Sequence, residues 1–314
     1  MKPLVPALCL LLGGCTIGEV AQQPASDSVV SSTVVTQSSA TVPRPSISMS
    51  PAPQPLQPLV DHITDTYGGT AAIALFDGTT PRIGGNDQAL PAWSTIKVPI
   101  AIAALHADPG LAGTAAAAIR TSDNAAAQTL WDTVGPDAVN SVLASGGSET
   151  IVNTEPIRPE FSTFGQTAWT VSDQAQFAYR LPEFAAASPV LEYMGSVDPS
   201  QSYGLGQLPG AYFKGGWGPD LSGNYLVRQF GFVEIVGHRV GVAIAASAGD
   251  GTYATGQQML SALVRDVASL LGAESVAEPE PVPDVGNVEE TPLPPALPLA
   301  PLLGEGDSRG PLAL

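Results

Sequence analysis

The order of elements between residues 57 and 272 predicts an α+β fold of two lobes, in which N- and C-terminal helices cover an antiparallel sheet beside a helical block. Three observations carry that class. Strand patterns occur at both ends of this body, with helical patterns between them. Tyr225 to Ile235 and Arg239 to Ala246 read as a long hairpin around Val236-Gly237-His238. Thr252 to Leu271 then closes the body as a helix with Met259, Leu260, Leu263, Val264, Val267 and Leu271 on one face.

Taken in order, Leu56 to Tyr67 reads as a short amphipathic helix. Ala71 to Phe76 and the weaker Pro81-Arg82-Ile83 stretch read as a strand pair joined through Asp77-Gly78. Ser94 opens an apolar helix that reaches about His106. Alanine-rich helices follow around Ala115 to Val134 and Asp137 to Ala144. Another covers Thr170 to Leu181, started by Thr170 or Ser172. Tyr212-Phe213-Lys214 is an edge strand ahead of the hairpin.

The flanks differ in composition. Lys2 and the apolar run Leu4 to Leu12 read as a secretory signal over 1–14, too short to span a bilayer. It ends in Leu12-Gly13-Gly14-Cys15, which resembles the bacterial lipobox. That resemblance implies cleavage before Cys15, lipidation there, and anchoring on the outer face of the cell membrane in the envelope. Residues 15–56, rich in Ser, Thr, Gln, Pro and Val, read as a disordered tether. The acidic, Pro-rich segment 273–314 reads as an extended tail.

Lys and Arg number 12 against 29 acidic residues, a formal net charge of −17, which argues against a nucleic-acid partner. Cys9 and Cys15 are the only cysteines, and both lie in the leader. His62, His106 and His238 form no metal-ligand spacing, so neither metal nor cofactor is expected.

Only three lysines occur, and two of them sit in short motifs that serine chemistry would use. In Ser94-Thr95-Ile96-Lys97 the three-residue spacing puts amine and hydroxyl on one helix face. A neutral Lys97 would take the Ser94 proton, with burial and the charge of Lys214 favouring the neutral amine. The helix N-terminus at Ser94 would offer backbone N–H groups to an oxyanion. In Ser122-Asp123-Asn124, Ser122 would relay a proton to the leaving nitrogen, Asp123 would hold the turn and Asn124 would bind a substrate amide. Lys214-Gly215-Gly216 would bring positive charge to a carboxylate and to Ser122. Gly216 and Trp217 would line the substrate, the Trp217 N–H serving as second oxyanion donor.

Pro91-Ala92-Trp93-Ser94-Thr95-Ile96-Lys97-Val98-Pro99 and Ala118-Ile119-Arg120-Thr121-Ser122-Asp123-Asn124-Ala125-Ala126 resemble two motifs of the penicillin-recognising serine enzymes. These are the class A β-lactamases and the penicillin-binding DD-peptidases. The resemblance spans nearly all of 57–272 and is nearest to alanine-rich actinobacterial lipoproteins of that fold. It implies a serine hydrolase acylated at Ser94, acting on a cell-wall-derived or β-lactam-like small molecule.

Three departures bear on activity. Ser94 and Ser122 stand only 28 positions apart, closer than in the β-lactamases. Gly215 replaces the usual Thr or Ser of the third motif, removing a hydroxyl that helps bind a carboxylate. No Glu-x-x-Leu-Asn loop is present; Glu155-Pro156 offers the best substitute for its deacylating base. The expected function is an envelope-anchored serine acyl hydrolase on a cell-wall peptide, amide or ester. The alternatives are a catalytically idle lipoprotein that uses the fold as a binding module, and a true β-lactamase.

Overall fold

The structure, a computed structural model, describes residues 55–235 and 237–271. The signal segment, Cys15, nearly all of the 15–56 tether and the 273–314 tail lie outside the described residues. In chain order the elements are α1 (Gln57–Tyr67), β1 (Thr70–Phe76), β2 (Arg82–Gly85), β3 (Leu90–Pro91), α2 (Lys97–Ala107), α3 (Ala112–Arg120) and α4 (Asn124–Ser145). They continue with β4 (Ala168–Trp169), α5 (Val171–Arg180), α6 (Ser188–Met194), β5 (Tyr212–Pro219), β6 (Tyr225–Ile235), β7 (His238–Ser247) and α7 (Tyr253–Leu271). Among them no helix is long and apolar enough to cross a membrane.

Five strands form one sheet in the order β2-β1-β7-β6-β5, every pair antiparallel. Strand side chains alternate between faces. Ile73, Leu75, Val227, Val242 and Ile244 pack with α1 and α7 on one side, while Ala72, Ala74, Phe230, Ala243 and Ala245 join the core of the helical lobe on the other. Small residues on that second face let α5 approach closely: a Cβ at Gly241 would stand 2.1 Å from Ala175 O. Burial of Met259, Leu260, Leu263, Val264 and Val267 fixes α7, each side chain contributing about 1.5–3 kcal/mol.

The two-lobed architecture agrees with the sequence. Four local expectations need correction. Ser94 lies in a 3₁₀ turn, Trp93–Ile96, and the α-helix starts at Lys97. The run expected over Ala115 to Val134 is broken at Thr121-Ser122-Asp123, because the Asp123 carboxylate accepts from Ala126 N (2.8 Å) and caps a new helix. β5 runs on to Pro219 through glycines that sequence propensity disfavours in a strand. Neither α6 nor the two-stranded β3–β4 sheet was foreseen. Thr170 rather than Ser172 caps α5, its hydroxyl accepting from Asp173 N.

Candidate active site

Among the described residues the buried charged side chains are Lys97, Lys214 and Arg228, all cationic. The first two converge on one hydroxyl. Lys97 Nζ donates to Ser122 O (2.6 Å), Ser122 Oγ (3.3 Å) and Asn124 Oδ1 (2.5 Å). Lys214 Nζ donates to Ser122 Oγ (2.9 Å) and Gly215 O (2.8 Å). Ser94 and Lys97, one 3₁₀ turn apart, are 2% and 1% exposed. The three motifs therefore meet where β5 faces the helical lobe. Asn124 enters through its oxygen on Lys97.

Strand alternation explains the glycines of the third motif. Lys214, Gly216 and Gly218 face the helical lobe, in register with Phe230, Arg228 and Leu226 of β6. A Cβ at Gly216 would stand 2.8 Å from Ser94 N and 2.9 Å from both Ala92 O and Thr95 N. One at Gly218 would strike the Trp93 ring at 2.5 Å. Both positions must be side-chain-free for the nucleophile turn to rest on β5. Gly215 faces the other way, where a Cβ would meet Tyr203 Oη at 3.5 Å and Gln229 Cγ at 3.8 Å, ordinary contact distances. Space does not demand glycine there.

Trp217 shares that second face, its ring against Tyr253 (5.3 Å between centroids). Burial pushes the Tyr253 phenol up to about 12 and the Tyr203 phenol well above its ordinary value. Among the described residues the only non-glycine positive φ angles belong to Trp93 (48°) and Ser122 (58°), both in the site. Each such conformation costs about 1–3 kcal/mol and persists where the surroundings over-determine it.

Glu155 lies on the loop between α4 and β4. Asn153 pins this segment, its Nδ2 donating to Glu155 O (2.7 Å) and Thr163 O (3.0 Å), yet the Glu155 side chain is exposed. The loop spans the cleft: Phe161 packs edge-on against Trp93 (5.1 Å), and Arg158 stacks on Phe161 (4.4 Å) and donates to Pro219 O at the end of β5. Sequence reasoning missed Arg158 and Phe161, as well as Thr95, Gln174 and Arg228 beneath the turn. The Arg228-Gln229 pair was a readable signal, two polar residues in the middle of an apolar strand.

Three comparisons with known proteins bear on this arrangement. A family model described as the β-lactamase enzyme family matches residues 108–191, taking in Ser122 to Asn124 but not Ser94, Lys97 or Lys214. No curated protein matches the chain in sequence. Among solved structures, a class A β-lactamase from Bacteroides cellulosilyticus aligns with TM-score 0.59 at 16% identity, covering 69% of this chain and 99% of that one. A class A β-lactamase from Mycobacterium abscessus gives 0.58 at 16%, covering 69% and 100%. A β-lactamase from Sphaerobacter thermophilus gives 0.55 at 22%, covering 68% and 95%. The chain has the class A β-lactamase/DD-peptidase-like serine hydrolase fold.

Proposed function

We propose that this chain is a serine acyl hydrolase whose Ser94 forms an ester with the carbonyl of a cell-wall peptide, amide or ester, or of a β-lactam. The observation that carries this reading is Ser122 Oγ held between the two buried lysine nitrogens, 3.3 Å from Lys97 Nζ and 2.9 Å from Lys214 Nζ. Two like charges on one hydroxyl disfavour each other, and burial adds to that pressure toward a neutral amine. A neutral Lys97 takes the Ser94 proton as Oγ attacks the carbonyl carbon. The Ser94 and Trp217 N–H groups receive the oxyanion. When the C–N or C–O bond breaks, Ser122 gives its proton to the leaving atom and recovers one from Lys97. Lys214 and the Asn124 amide hold the substrate. Water then releases the acid and restores Ser94.

That last step is the slow one in this reading. A general base must lie within hydrogen-bond reach of the water it activates, and Glu155 is exposed. The acyl-enzyme therefore persists, as in a peptidase or an acyl acceptor. A true β-lactamase is the second reading; it is favoured by the anchoring of the Glu155 segment beside Trp93 through Phe161, and it requires that loop to swing the carboxylate inward. A catalytically idle binding module gains nothing from two lysines buried on one serine, a costly arrangement without a task. The sequence Leu12-Gly13-Gly14-Cys15 supports attachment through Cys15 to the outer face of the membrane.

Incubating the chain with a fluorescent penicillin and mapping the adduct by mass spectrometry tests the proposal. A label on Ser94 is expected. No adduct, where a control penicillin-binding protein labels, sinks it.

A further inference from the structure

The nucleophile turn is fastened from beneath by a buried network. Arg228 lies on β6 opposite Gly216 and is fully buried. Its Nη1 donates to Leu90 O (3.0 Å) and Pro91 O (2.9 Å), its Nη2 to Trp169 O (3.0 Å) and Gln174 Oε1 (2.6 Å). Burial pushes the guanidinium down to about 9, which leaves it charged at neutral pH. One planar fork thus gathers β3, β4 and α5 at a single point. Gln174 passes the hold onward: its Nε2 donates to Thr95 Oγ1 (2.9 Å), which donates to Ala92 O (2.5 Å). Ala92 N in turn donates to Thr167 O (2.7 Å). Residues 90, 91, 92 and 95 are fixed on either side of Ser94, and Gly216 presses against the same turn from β5.

We infer that Arg228 and Gln174 are a positioning pair for the nucleophile, acting through Thr95. They set the height of the 92–97 turn against β5, and with it the spacing between the two N–H groups that receive an oxyanion. The inference rests on the acyl-enzyme reading above. Its signature is kinetic: a misplaced turn lowers the rate of the chemical step while leaving substrate binding near its original strength.

The test uses the full chain carrying Gln174→Leu, Thr95→Val or Arg228→Lys. Arg228→Met is avoided because it would strand four buried acceptors and prevent folding. Two quantities are measured: the fluorescent-penicillin acylation rate against probe concentration, and backbone hydrogen exchange across 90–98. The maximal acylation rate should fall about 100-fold in Gln174→Leu, with the half-saturating concentration changed less than about threefold. Thr95→Val should behave alike, and Arg228→Lys, which keeps the charge and loses the fork, should fall between. Exchange at 92–97 should rise at least about tenfold while α7 stays protected. Variants that melt lower but acylate at the original maximal rate overturn the inference. If the unaltered chain never acylates, the acyl-enzyme reading fails separately, and unchanged exchange at 92–97 then overturns the positioning pair by itself.

Discussion

On one side of the cleft Ser94, Lys97 and Lys214 are buried and the two lysines are tied to Ser122, Lys97 also to Asn124, whereas across it Glu155 stands in solvent on a loop held by its neighbours. The difference separates the two halves of an acyl-transfer cycle. The groups that would form an ester are immobilised among buried partners. The group that would have to break it has no comparable setting.

Removing the acylating groups should have the largest effect. Ser94→Ala should abolish the adduct, and Lys97→Ala should slow its formation by about 10³-fold or more, both read by gel fluorescence and intact mass. Next come the two faces of β5. Gly216→Ala forces a Cβ to 2.8 Å from Ser94 N and should cut acylation about 100-fold, whereas Gly215→Ala meets nothing closer than 3.5 Å and should change it less than about threefold. Equal effects at the two positions would contradict the alternation argument.

The tyrosines behind Trp217 give a pH test. Tyr253 titrates near 10.0 when unfolded and about 12 when folded, so the unfolded chain loses this proton first. Its contribution is intact below pH 10, and stability falls as pH rises from 10 toward 12, by about 1.4 kcal/mol per unit for one such group. Tyr253→Phe should flatten that slope in alkaline denaturation curves. Smallest of all, Glu155→Gln should alter the lifetime of the adduct by less than about twofold. A much longer lifetime would show that the exposed carboxylate reaches the ester after all.

Much of this site was legible in the sequence. Three motifs in order, in a chain with three lysines, were enough to bring Ser94, Lys97, Ser122, Asn124 and Lys214 to one crevice. The kink inside α4, where Gly135 takes φ 69° ahead of Pro136, and the β6–β7 hairpin were readable too, because Gly, Pro and β-branched runs act locally. What escaped depended on distant contacts. Gly216 and Gly218 look like loop residues until Ser94 and Trp93 are found pressed against them. Thr95 and Gln174 are unremarkable alone, and their pairing joins residues 79 positions apart. Glu155-Pro156 was found by motif, but sequence carries no measure of a carboxylate's exposure.

A rapid-mixing experiment with nitrocefin bears most directly on the central claim, that ester formation is built into this chain and efficient ester hydrolysis is not. The account predicts a burst of about one equivalent of opened nitrocefin per protein, absent in Ser94→Ala, followed by turnover at least about 100-fold slower than the burst. Fast linear turnover that Glu155→Gln abolishes, or no ring opening at all, would contradict it.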